Sequence, residues 1–332
     1  MNFAFLLDAD ARIGIGHLMR CITIANEIEK RGFHCHFLCR ALTSSLQRLI
    51  LDQGHKSYIV RNKKSIHALL AQLNPECIVI DNYKLDEKFE RTVRCFSKQI
   101  LVIDDLANRS HFCDVLLDQG PLRTTDDYRP IINLDCQLLL GVNYALIRPE
   151  FRNLRKSDTS SWKKGLISFG GADPNNITLK ILQALDLGLR MKDAEWTVVA
   201  GTASPHLQSL EEFISKSQLN ITLLEQSNEI ATLLATSDFA IGAAGGMAWE
   251  RSCIGIPTLT LPIADNQKYG IEVIKHFRLG ETLEIADLTP TVLLKALKRL
   301  RKNSSVYLRR NQAMVDGLGV MRLMKYILPS DQ

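Results

Sequence analysis

A histidine follows two spaced glycines at Gly14-Ile15-Gly16-His17, just past an apolar strand-like run that carries Asp8 and ends near Asp10. Glycines there let the backbone turn tightly and approach a ligand closely. The helix that follows aims free N–H groups and a positive dipole end at the same place. That end favours the uncharged imidazole, the form that takes a proton from water. A histidine in a first helical turn also serves as a plain surface or capping residue. Asp8 and Asp10 are candidates to orient the ring or to cap the loop. The segment is no dinucleotide fingerprint, since a third glycine is missing at Met19, and no G-K-[ST] follows to make a phosphate loop of the Walker type.

Polar groups recur at the ends of other apolar runs. Ile80-Asp81-Asn82-Tyr83 places an acid, an amide and a phenol at one strand end, where an Asx turn is the ordinary alternative. Asp104-Asp105 pairs two carboxylates, as an acid/base dyad or, more simply, a turn or cap. Ser168-Phe169-Gly170-Gly171-Ala172-Asp173-Pro174 is a close-approach turn feeding a helix start. Gly242-Ala243-Ala244-Gly245-Gly246-Met247-Ala248-Trp249-Glu250-Arg251 ends a strand in small residues and opens a helix, offering backbone N–H groups to a diphosphate. Glu250, one turn in, is an acceptor for ribose hydroxyls. Ala264-Asp265-Asn266-Gln267 opens the next helix.

The elements that position these groups alternate. Strands are expected near residues 3–9, 35–39, 57–60, 77–81, 100–104, 115–118 and 137–140, then near 166–169, 196–200, 221–224, 239–241 and 258–261. Their apolar runs are continuous, as in a parallel sheet covered on both faces. Leu18, Cys21, Ile22, Ala25 and Ile28 form one helical stripe between the first two strands. Strand–helix repetition gives doubly wound α/β layers. The expected division is an N-terminal Rossmann-like domain over 1–152, a polar linker over 153–164, a second such domain over 165–305, and a helical segment over 306–332 interrupted around Gly317 and Gly319. Ligands of open α/β sheets bind beyond the carboxyl ends of the strands, so a cleft between two facing sheets is the expected seat of the chemistry.

Bulk properties narrow the classes. The chain has 332 residues, 46% of them hydrophobic and 23% charged, enough for two cores. No apolar run approaches the ~20 residues of a membrane span. The N-terminus lacks the basic start and apolar stretch of a signal peptide, so a cytoplasmic location is expected. A net charge of +5 suits an anionic small molecule but not nucleic acid, which needs a dense basic stripe. The eight cysteines are scattered, with no C-x-x-C pair. In His34-Cys35-His36-Phe37-Leu38-Cys39 a strand would send the cysteines to one face and the histidines to the other, which disfavours a metal site.

Taken in order, these stretches resemble the UDP-2,4-diacetamido-2,4,6-trideoxy-β-L-altropyranose hydrolases of pseudaminic acid biosynthesis, relatives of the N-acetylglucosaminyltransferase that makes lipid II. The likeness runs from Asp8…Gly14-x-Gly16-His17-x-Met19-Arg20-Cys21 through Asp81-x-Tyr83, Asp104-Asp105, and Gly141-x-x-Tyr144-Ala145-Leu146-x-Arg148-Pro149-Glu150-Phe151. It continues through residues 168–174, Gly245-Gly246…Trp249-Glu250-Arg251 and Asn266-Gln267. It implies an α/β GT-B fold of two facing Rossmann-like domains, with His17 as catalytic base and Tyr83 near the sugar. Asp8, Arg12, Gly14, Gly16 and Asp81 join the sugar side. Gly170, Gly171, Gly245, Gly246, Met247, Glu250, Asn266 and Gln267 join the UDP side, with Glu250 on the ribose. The sequence departs from the pattern at Asn82, where many relatives carry His, and at Met247-Ala248, where small hydroxylated residues are usual, so phosphate contacts there would come from the backbone.

The implied reaction is hydrolysis at the anomeric carbon with inversion, releasing UDP and a free sugar bound for pseudaminic acid and surface glycans. UDP leaves readily, so a base on one side and electrostatic support for the diphosphate on the other suffice. No cofactor and no metal are expected, nor any nucleic-acid partner or stable membrane association. A GT-B glycosyltransferase using a UDP-sugar donor is the alternative. A non-catalytic nucleotide-sugar binder and a nucleotide-sugar 2-epimerase complete the set.

Overall fold

The computed structural model describes residues 1–9, 16–158, 161–170, 173–188, 193–201, 204–225, 227, 229–264 and 267–328. The chain divides into two compact units. The first is built from Met1–Ile147 together with Gly317–Gln332, the second from Arg148–Asp316. This differs from the expected division at both ends of the second unit. The polar stretch after residue 153 is tied to its own unit: Lys156 Nζ donates to the carbonyls of Ala235 and Ser237, and Arg155 donates to that of Gln312. The segment 306–332 is split, its last helix returning to the first unit.

The first unit contains β1 (Asn2–Ala9), α1 (Gly16–Glu29), β2 (His34–Leu42), α2 (Ser44–Asp52), β3 (Lys56–Ile59), α3 (Lys63–Leu73), β4 (Cys77–Asp81), α4 (Glu87–Val93), β5 (Gln99–Ile103), β6 (Val115–Asp118), α5 (Thr125–Tyr128) and β7 (Gln137–Leu140). The strands form one parallel sheet in the order β3-β2-β1-β4-β5-β6-β7. Successive residues of each strand enter opposite cores. Phe3, Phe5, Leu7, Val79, Leu101, Ile103 and Leu117 pack with α1 and the C-terminal helix Gly319–Ile327. Ala4, Leu6, Ile78, Ile80, Val102 and Leu116 pack with Ile66 and Leu70 of α3 and Phe89 of α4. Burial on both faces explains why the strands read as unbroken apolar runs. In β2, Cys35 and Cys39 lie in the α1-side core while His36 turns the other way, toward Tyr58 and Asn2.

The second unit opens with α6 (Pro149–Asn153). It continues with β8 (Lys164–Ser168), α7 (Ile177–Leu187), β9 (Glu195–Ala200), α8 (Leu207–Ile214), β10 (Asn220–Glu225), α9 (Ile230–Thr236), β11 (Phe239–Ala243), α10 (Met247–Ile254), β12 (Thr258–Leu261), α11 (Lys268–Phe277), β13 (Glu281–Thr282), α12 (Pro290–Lys302) and α13 (Ser304–Met314). Its parallel sheet runs β10-β9-β8-β11-β12-β13. Trp196, Phe239, Ile167 and Ile241 form its centre, with α7 and α12 packed on it.

In each sheet the strand order reverses at one place, between β1 and β4 in the first unit and between β8 and β11 in the second. Such switch points leave a crevice beyond the strand ends, where connections diverge to opposite sides. Most of the groups singled out in the sequence follow those four strands; Asp104-Asp105 follows β5 and Gln267 lies beyond β12. Among the described residues no helix is long and apolar enough to cross a membrane.

Candidate functional site

His17 stands in the first turn of α1, buried at 7% exposure. Its Nδ1 lies 2.5 Å from Oδ1 of Asp81 at the end of β4. A carboxylate only accepts, so Nδ1 carries the hydrogen and Nε2 is left with the free lone pair. Arg20, three residues along the same helix face, grips the same carboxylate with a two-pronged contact: Nε to Oδ2 at 2.6 Å and Nη2 to Oδ1 at 2.5 Å. Its Nη1 reaches Asp105 Oδ2 at 3.1 Å. The Tyr83 and His17 rings meet nearly at right angles, centroids 4.7 Å apart, and the Tyr83 phenol lies close enough to Asp105 to feel its charge.

These groups carry defined charges. Burial alone would raise the Asp81 carboxyl, but the charge of Arg20 and the hydrogen bonds from Arg20 and His17 outweigh it and hold the carboxyl well below the usual range. Asp81 is therefore an anion. Burial, reinforced by Asp105, pushes the Tyr83 phenol up, so Tyr83 stays protonated.

Strand alternation decides which acids take part. Val79 faces α1, so Asp81 does too, whereas Asp8 follows Leu7 on the strand and faces away. Asp8 accepts from the backbone of Arg40 and, at 2.9 Å, from Asn82 Nδ2, tying together the ends of β1, β2 and β4. Asp8 does not orient His17; Asp81 holds the ring, and its oxygens are occupied by His17, Arg20 and the Cys21 thiol. The same alternation separates Asp104 from Asp105. Asp104 accepts from the backbone N–H groups of Leu106 and Ala107, as a turn residue, and pairs with Arg109. It also meets the Tyr128 hydroxyl, which bridges at 2.8 Å to Asp118. Burial pushes the Asp118 carboxyl up to about 7. Asp10, Arg12 and Gly14 lie outside the described residues, and Gly16 opens α1.

In the second unit, Gly170 follows β8 with φ +89°, while Gly171 and Asn266 lie outside the described residues. Asp173 caps α7, accepting from the N–H groups of Ile177 and Thr178. Ala244-Gly245-Gly246 link β11 to α10, with Gly246 at the cap position and Met247 the first helical residue. Gln267 braces this link: its Oε1 accepts from Ala244 N and Ile263 N. Glu250 projects from the first turn of α10 and accepts at Oε1 from Nε and Nη2 of Arg148, both at 3.1 Å. Burial raises its carboxyl, and Arg148 counters that. Behind the link, the buried Arg251 donates to the Ala243 carbonyl, and desolvation lowers its guanidinium to about 10.

Arg20 and Arg148 received no role from the sequence, and Asp105 was read only as half of an acidic pair with Asp104. The i, i+3 spacing of His17 and Arg20 was the available signal for the first. Arg148 is 102 residues from Glu250, and no local pattern joins them. No group of three His, Cys, Asp or Glu side chains placed to hold a metal ion occurs among the described residues.

Superposed over 98% of its length, the chain matches the crystal structure of Acinetobacter baumannii MurG, covering 99% of that chain with a TM-score of 0.68 at 14% identity. The fold is GT-B. A putative UDP-N-acetylglucosamine 2-epimerase from Listeria monocytogenes matches with a TM-score of 0.63, at 14% identity over 98% of this chain and 96% of that one. By sequence, the GT-B chain is 24% identical to the spore coat polysaccharide biosynthesis protein SpsG of Bacillus subtilis, over 97% of this chain and 96% of that protein. It is 26% identical to the UDP-2,4-diacetamido-2,4,6-trideoxy-beta-L-altropyranose hydrolase of Campylobacter jejuni, over 75% of this chain and 87% of that protein. No protein-family model matches.

Proposed function

We propose that the protein is an enzyme that hydrolyses a UDP-linked 2,4-diacetamido-2,4,6-trideoxy sugar to UDP and the free sugar, as the Campylobacter relative is named to do. The observation that carries this reading is the His17–Asp81 contact at a switch point of the first sheet. An ionised, buried carboxylate on Nδ1 holds the ring in the tautomer whose Nε2 accepts a proton, the arrangement a general base needs. His17 Nε2 takes a proton from water as the water oxygen bonds to the anomeric carbon. The C–O bond to the diphosphate breaks, its electron pair leaves with UDP, and the configuration inverts. Asp81 acts on the ring and not on the sugar; Tyr83 is the described residue best placed to meet the sugar beside His17.

The second unit takes the nucleotide. Gly245, Gly246 and Met247 present backbone N–H groups at the start of α10, and Gly170 turns at the neighbouring strand end. Glu250, with one oxygen committed to Arg148, offers the other to a ribose hydroxyl. Gln267 acts by holding the Ala244 backbone in place.

Hydrolysis in water enriched in heavy oxygen tests the reading. With no acceptor added, UDP is released and the label appears in the sugar. Label recovered in UDP overturns attack at carbon, and release that depends on an added acceptor makes the protein a glycosyltransferase.

A further inference from the structure

Arg20 joins Asp81, which holds His17, to Asp105 beside the aromatic neighbour Tyr83. Its Nε and Nη2 lie on Asp81, which fixes the His17 ring, and its Nη1 lies on Asp105, the carboxylate beside the Tyr83 phenol. Tyr83 closes the circuit with its edge against His17. Three separate chain segments meet at this one guanidinium: α1, the end of β4 and the turn after β5. A planar group with five donors fits two carboxylates at once, whereas an ammonium offers a point charge and no fork.

The charge balance of this cluster is tight. Among the described residues, the titratable and charged groups around His17 are Arg20 and Cys21 from α1, Asp81 and Tyr83 from the end of β4, and Asp105 beyond β5. Arg109, 5.8 Å from the Tyr83 ring, is committed to Asp104. The Cys21 thiol and the Tyr83 phenol are both held protonated by burial. Two carboxylates therefore face one guanidinium and one imidazole. Without the guanidinium, the two carboxylates would lose the one fixed positive charge that faces them both.

We propose that Arg20 is the positioning residue of the hydrolytic step: it fixes His17 through Asp81, holds Asp105 beside Tyr83, and supplies the one fixed positive charge that faces both carboxylates. This rests on the reading of His17 as base. Arg20 itself touches neither water nor sugar.

Arg20→Lys and Arg20→Gln in the full chain test it, with folding checked by circular dichroism and thermal melting. Arg20→Lys keeps the charge and loses the fork. Its kcat is expected to fall roughly 10- to 100-fold, as for a small misplacement of a reacting group, with KM within about twofold and the acid limb of the pH–rate profile unmoved. Arg20→Gln loses both, and with one near positive charge gone its acid limb moves to higher pH. A titration of nitrogen-labelled histidine followed by NMR, assigned with His17→Ala, reads the same displacement with no substrate present. If Arg20→Gln does not fold, the kcat-against-KM split in Arg20→Lys decides. A His17 titration and pH profile unchanged in Arg20→Gln, or an Arg20→Lys enzyme with normal kcat, overturns the proposal. A wild-type protein that releases no UDP from any UDP-sugar overturns the functional reading alone, because the NMR titration stands without turnover.

Discussion

At the scale of single residues, the site depends on an anion that stays an anion. Asp81 accepts from both His17 and Arg20 at Oδ1, and from Arg20 and Cys21 at Oδ2. An asparagine has one acceptor for these donors, so in Asp81→Asn its amide N–H must oppose either His17 or Arg20. We expect kcat to drop at least about 10²-fold, short of the full loss in His17→Ala, which removes a base contribution of about 10²–10⁴. Both variants should bind UDP with wild-type affinity by calorimetry; a parallel loss of binding would place His17 in the nucleotide site instead. Asp118 gives a separate prediction, on stability. Its folded value of about 7 lies above the ~4 of an unfolded aspartate. The folded state thus holds a proton that the unfolded chain has lost. The contribution is full below about pH 4, declines by about 1.4 kcal/mol per unit, and is gone above about pH 7. Asp118→Asn mimics the protonated acid facing Tyr128, so its melting temperature should exceed wild type at pH 8 and match it near pH 4. Equal melting curves at pH 8 would refute a raised Asp118 carboxyl. The sequence showed Asp81 and Tyr83 at the end of an apolar run, and His17 at the start of a helix beyond another. It did not show the partner of His17. Asp8 is near in sequence, but Asp81 is adjacent in space, because β1 pairs with β4 (Leu7 opposite Asp81) and both Leu7 and Asp81 face α1.

At the scale of elements, the glycine link between β11 and α10 is held from behind by α11. A Cβ added at Gly270 would lie 2.5 Å from the Ala244 carbonyl oxygen, so the two backbones are in contact. Alanine in a helix gains about 1 kcal/mol over glycine, yet overpacking against a backbone costs about 1–3 kcal/mol. The clash wins or at best cancels, and the link must move. Gly270→Ala is expected to weaken UDP binding roughly tenfold, about 1.4 kcal/mol, with any change in melting temperature small beside it. Unchanged UDP affinity would remove the link from the nucleotide site. The expected strands were legible as continuous apolar runs, and all of them are present within about a residue or two of where they were read. β13 escaped notice because two residues, Glu281 and Thr282, carry no periodicity. The carboxylate pair Asp104-Asp105 was legible as acidic, but its separation onto opposite sheet faces follows from alternation that continues past the end of β5.

At the scale of the whole molecule, the chain begins and ends in the same unit. The helix Gly319–Ile327 inserts Val320, Leu323, Met324 and Ile327 into the core formed by α1 and the first sheet. The sequence showed a helix interrupted near Gly317, but an amphipathic stripe does not say which of two apolar surfaces it covers. Gly319 marks the docking point, since a Cβ there would collide with the Ala145 backbone. Burying a side chain of this size contributes about 1.5–3 kcal/mol, so the four together rival the ~5–15 kcal/mol that holds a typical domain folded. Removing residues 317–332 should therefore unfold the first unit, with its His17 cluster, and leave the second, whose chain from 148 to 316 is continuous and has its own core. In a heteronuclear NMR spectrum of the shortened protein, dispersed signals should survive for residues 148–316 and collapse for 1–147, and UDP should still perturb the survivors. Gly319→Ala, a milder change, should lower the melting temperature of the first unit and bring turnover down with it, while UDP affinity holds. A shortened chain that keeps one fully dispersed spectrum would show that the first sheet does not need its returning helix, and a loss of UDP binding on truncation would mean that the nucleotide is not held by the second unit alone.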